Sequence, residues 1–103
     1  MAGHSEVEVP LKAFDRAILL HQAMGDQALA DEVLGLFLQQ LATLKAKEWR
    51  SLDLNFEMHT LKGSAAALGA KQLEAIARDW QSLGPQLQSQ VLQGIARFEA
   101  AAK

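Results

Sequence analysis

Met58-His59-Thr60-Leu61-Lys62-Gly63-Ser64-Ala65-Ala66-Ala67-Leu68-Gly69-Ala70 reads as the second half of an amphipathic helix followed by its stop. Leu61, Ala65 and Leu68 recur at the spacing of one helical face. Gly69 then supplies the residue that most easily turns left-handed at a helix C-terminus. At about 100° per residue, Leu54 joins that apolar face and His59 points to the opposite side. Lys62, Gly63, Asn55, Ala66, Leu52 and Phe56 fall within roughly 60° of His59 on the same construction. The spacing predicts a helix over residues 48–68 with His59 exposed near its middle.

Working outward, the segments on both sides also read as helices. Pro10 suits a first helical position and opens a short helix to Ala23, with Leu11, Phe14, Ile18 and His21 on one face. Gly25 breaks it, and Asp26 caps the next helix. That helix runs to Lys45, with Leu29, Val33, Leu36, Phe37, Gln40, Leu41 and Leu44 inward. After Gly69, a helix over residues 70–82 buries Leu73, Ile76, Ala77 and Trp80. Gly84-Pro85 is the clearest break in the chain. The last helix carries Leu87, Val91, Leu92, Ile95 and Phe98. Short connections favour antiparallel neighbours, so the expected fold is all-α: an up-down-up-down four-helix bundle with a short additional N-terminal helix. Residues 10–103 form the domain, and residues 1–9 read as a disordered lead or an expression remnant.

Bulk properties narrow the function. The 103 residues suffice for one core, half of them are apolar and 21% are charged, ordinary values for a globular domain. There are no cysteines, so thiol catalysis and thiolate metal sites are excluded, and a reducing cytoplasm is the expected setting. The net charge is −2 and the basic residues are scattered, which argues against nucleic acid as partner. No apolar run approaches the length of a membrane span. No Walker-type glycine loop and no metal-ligand spacing is present.

The stretch around His59 combines residue types that suit one chemistry. An exposed imidazole is a nucleophile, and Lys62, one turn on, is a cation on the same face. Transfer of a phosphoryl group depends mainly on positioning and charge compensation, which such a pair supplies. Gly63 costs its helix about 1 kcal/mol relative to alanine, yet small helix formers follow it directly. It reads either as a gap through which a partner reaches the imidazole or as a point of close packing against another helix. Leu52 and Phe56 add apolar surface beside it, as at the rim of a docking patch. Without its neighbours, His59 would read as an ordinary surface histidine.

The run His59-Thr60-Leu61-Lys62-Gly63-Ser64 with Leu68-Gly69-Ala70 and Leu73 resembles the signature of histidine-containing phosphotransfer (HPt) domains. The resemblance extends over residues 11–98. It implies that His59 accepts a phosphoryl group from a receiver-domain aspartate and passes it to another receiver. It further implies Lys62 as charge partner, Gly63 as access residue and Gln81 as a hydrogen-bonding neighbour of the histidine. Leu52, Asn55, Phe56 and Ala66 would then meet the partner. The chain would be a monomeric phosphoryl carrier and not an enzyme, with no cofactor of its own, since the Mg²⁺ belongs to the receiver. Its partners would be response-regulator receivers and a hybrid histidine kinase. It departs from the family pattern at Met58, Ala77 and Trp80. The alternative is a bundle that docks a receiver or kinase and inhibits it without transfer.

Overall fold

The computed structural model describes residues 11–103. Helices α1 (Arg16–Gln22), α2 (Gln27–Ala46), α3 (Leu54–Leu68), α4 (Lys71–Arg78), α5 (Trp80–Leu83) and α6 (Leu87–Ala101) follow in chain order, with one-turn 3₁₀ segments at Trp49–Ser51 and Gly84–Gln86. No strand occurs among the described residues. The all-α bundle expected from the periodicity is what forms. α3 packs along α4, α4 against α6, and α6 against α2, while short α1 touches both α2 and α3. The core between them includes Phe37, Leu41, Met58, Leu61, Leu73, Val91, Ile95 and Phe98, all buried. Phe98 stands edge-on to both Phe14 and Phe37, at centroid separations of 5.0 and 5.1 Å.

The start of α3 is corrected from Glu48 to Leu54. Glu48 caps the 3₁₀ turn, its carboxylate accepting from the Arg50 backbone N–H at 3.4 Å. Asp53 is the residue that caps α3, accepting from the Phe56 N–H at 3.2 Å. A side-chain acceptor in that position satisfies an amide that the first helical turn cannot. Asp26 caps α2 as expected, accepting from Leu29 N–H at 3.0 Å.

The first helix also starts later, at Arg16; Pro10 and the proposed lead 1–9 lie outside the described residues. Leu11, Lys12 and Asp15 instead give backbone groups to the start of α4 and to the turn that joins α3 to it. Gln72 donates from its main chain to Lys12 O at 3.2 Å and from Nε2 to Leu11 O at 2.9 Å, and Asp15 N–H donates to Gly69 O at 2.8 Å. These tertiary bonds satisfy the main-chain groups that a helix would otherwise have paired. Leu11 and His21 are exposed, and α1 buries Leu19 instead.

α2 carries two overlapping apolar stripes, and the one facing inward is Ala30, Leu34, Phe37, Leu41 and Leu44. Leu29 and Leu36 turn outward, Leu36 being 60% exposed. The expected stripe is corrected from Leu29 and Leu36 to Ala30 and Leu34, while Phe37, Leu41 and Leu44 are common to the expected and the observed face.

α4 and α6 approach closely at Gly94, where an added Cβ would lie 2.9 Å from Leu73 Cδ2 and 3.0 Å from Ile76 Cδ1. The predicted helix 70–82 is divided at Asp79, whose φ of −97° and ψ of 21° fall outside helical values.

Candidate functional site

His59 sits mid-way along α3 on its solvent face, while Met58, Leu61, Ala65 and Leu68 anchor that helix in the core. Leu54, expected in the core, is only partly buried against it. Where α3 packs on α4, with Trp80 of α5 alongside, a shallow hollow of about 120 Å³ lies at the histidine. It is lined by Asn55, Met58, His59 and Lys62 from α3, Ala77 and Arg78 from α4, and Trp80 from α5. Met58 and Ala77 are buried and form its apolar floor. The three departures from the family pattern thus converge on this one hollow.

The structure brings His59, Lys62 and Asn55 together as their helical spacing requires. No carboxylate among the described residues lies within ion-pair distance of Lys62. Its ammonium is therefore uncommitted beside the imidazole among those residues. Gly63 and Ala66 are exposed on the same side of α3. A Cβ built on Gly63 would meet nothing within 4 Å. No other element among the described residues packs against it, so close packing within the fold does not account for this glycine. Gly35, exposed in α2, is equally open, so an open glycine alone carries no function; adjacency to His59 sets Gly63 apart.

Phe56 is 62% exposed and lies on the other flank of the exposed face. It borders a second hollow of about 240 Å³ between α2 and α3, with Gln40, Thr43 and Thr60. Lys47 and Glu57, paired at 2.8 Å, hold that flank. Leu52 is not on α3 but precedes its cap, half-buried against the core. Its expected place on the rim is therefore corrected: the 3₁₀ turn breaks the helical phase that put it near His59.

Gln81 is exposed and does not line the hollow. Among the described residues, no hydrogen bond joins it to His59. An unbroken helix would set Gln81 one turn beyond Ala77 on the same face; the interruption at Asp79 removes that register. Arg78 and Trp80 reach the hollow instead, and neither was singled out from the sequence as part of the site. The signal for Arg78 was present. His59 lies ten residues before Gly69 and Arg78 nine after it, and residues equidistant from the turn of an antiparallel helix pair lie opposite each other.

The arrangement can present an imidazole to an incoming electrophilic group, surround that group with two cations and an amide, and leave the outer side open to a macromolecule. Among the described residues there is no cluster of three or more metal-ligating side chains, and no helix is long and apolar enough to cross a membrane. Comparisons with curated proteins and with solved structures gave no match. The family model described as Hpt domain matches residues 16–101. That span includes every helix from α1 to α6 and every residue of the hollow, and the chain belongs to the Hpt domain family.

Proposed function

We propose that this phosphotransfer module of two-component systems takes a phosphoryl group from a receiver-domain aspartate onto His59 and passes it to a second receiver. The observation that carries the reading is the exposed mid-helix imidazole sharing a polar hollow with Lys62, which has no ion-pair partner among the described residues. A ring nitrogen's lone pair forms the N–P bond as the aspartyl O–P bond breaks. The electron pair leaves with the carboxylate, and the other ring nitrogen keeps its proton. Lys62 offsets the charge of the bound phosphoryl oxygens. The divalent metal of the reaction belongs to the receiver, and the chain acts as a monomeric carrier, not as a kinase. Asn55, Phe56 and Ala66 provide docking surface around the imidazole.

Incubation with a panel of phosphorylated receivers, one supplied by a hybrid histidine kinase, tests this. The expected product is a label on the chain that is acid-labile, base-stable and mapped to His59. Receiver binding without any label would leave the chain a docking inhibitor and end the transfer reading.

Gly63 provides a second check. Gly63→Gln and Gly35→Gln both remove a glycine from an exposed helix interior, and each is expected to raise stability by roughly 0.5–1 kcal/mol. Only Gly63→Gln is expected to slow transfer, by about tenfold or more, which corresponds to roughly 1.4 kcal/mol in the barrier. Denaturant midpoints and single-turnover transfer rates measure the two effects. Equal transfer rates in both variants would remove the access role of Gly63.

A further inference from the structure

We propose that Arg78 is a second phosphoryl-contacting cation, which holds the phosphoryl group on His59 from the α4 side. The inference rests on His59 being the acceptor and adds a residue from a different helix. Arg78 ends α4 and lines the same hollow as His59, Lys62 and Asn55. It is therefore placed across the hollow from α3, so that a group on the imidazole would stand between it and Lys62. The hollow, about 120 Å³ and open on its outer side, has room for a tetrahedral oxyanion at the imidazole.

The state of the guanidinium fits this role. Its one partner among the described residues is Asp79, through Nε at 3.3 Å, and the two side chains are 58% and 57% exposed. Such a pair is screened by water and holds the side chain only weakly. The Nη groups make no hydrogen bond to any described residue. A planar guanidinium offers parallel N–H donors that match two phosphoryl oxygens, which an ammonium cannot do.

The measurement is the equilibrium constant for phosphoryl exchange between the free chain and a free receiver. It depends on how well each free protein holds the group and not on how well the two dock, so weakened docking cannot imitate the effect. Arg78→Gln is expected to shift the equilibrium about three- to tenfold toward the receiver. Arg78→Lys is expected to recover part of the loss. Arg50→Gln, which removes one positive charge away from the hollow, is expected to leave it unchanged. In the wild-type chain, the Arg78 Nε–H resonance should move when His59 is labelled with phosphoramidate, which needs no receiver.

An Arg78→Gln chain with a wild-type equilibrium would overturn the proposal while leaving His59 as the acceptor. An equal shift in Arg50→Gln would also overturn it, by showing a bulk charge effect. Failure of the wild-type chain to accept label at all would instead remove the transfer reading on which the proposal rests.

Discussion

His59→Gln is expected to reduce phosphoryl uptake to background while leaving the fold intact. The glutamine amide is planar and hydrogen-bonds much like an imidazole, but its nitrogen lone pair is delocalised and does not attack phosphorus. The substitution thus removes the nucleophile and little else. Its structural cost is small because His59 is exposed on α3, and glutamine favours helix at least as well as histidine. The thermal midpoint should stay within a few degrees of the parent, as for a surface substitution of about 0.5 kcal/mol or less. Receiver binding should also persist, because Phe56, Asn55 and Ala66 are untouched. The paired measurement is phosphate transfer and binding on the same preparation. Label retained in His59→Gln would place the acceptor elsewhere.

Gly69→Ala is expected to cause the largest loss of stability from any single methyl group added here. Two penalties coincide at this residue. Its φ is +80°, a left-handed conformation that costs a residue with a Cβ about 1–2 kcal/mol. A Cβ there would also collide with the main-chain carbonyl oxygen of Asp15 and approach Ile18 Cβ at 3.2 Å. Backbone on both sides would have to move, and the Asp15 N–H to Gly69 O bond would be strained or lost. Together these amount to roughly 2–4 kcal/mol, a large fraction of the 5–15 kcal/mol that holds an ordinary domain. The midpoint of thermal unfolding should fall by roughly 10–25 °C. Gly25 is the control. Its φ is +79°, but a Cβ there meets nothing within 4 Å, so Gly25→Ala should cost only the conformational part. A calorimetric scan of the two variants separates strain from collision. Equal losses would mean that the Asp15 contact contributes nothing.

The same corner explains what periodicity could and could not give. Leu61, Ala65 and Leu68 place α3 in the core whatever its neighbours are, because their spacing forces them onto one face. His59 is therefore legible as exposed from the sequence. Leu52 was not, because its place relative to His59 depended on an unbroken helix, and Asp53 starts a new one. Gln81, expected beside the histidine from the family resemblance, lies past the break at Asp79 and outside the hollow, which Trp80 borders from that side. Angular estimates carry through a helix and fail at its ends, since every irregular residue resets the phase. In α2 the failure was different. The expected stripe ran through Leu36, whereas the buried one runs through Leu34, a rotation of the helix that its seating on the core decides.

Local sequence determined the helical class, the chief breaks, the Asp26 cap, the Gly69 stop, and the shared face of His59, Lys62 and Gly63. Those features depend on residues within a turn or two of each other, where backbone geometry fixes the spacing. Tertiary structure decided the rest. It joined residues 11–15 to the turn between α3 and α4 and to the start of α4, turned Leu36 outward, kept Gly63 clear of every other described helix and brought Arg78 to the hollow at the histidine. Each of these depends on how one element seats on another, and burial of whole faces settles that seating beyond the reach of local spacing.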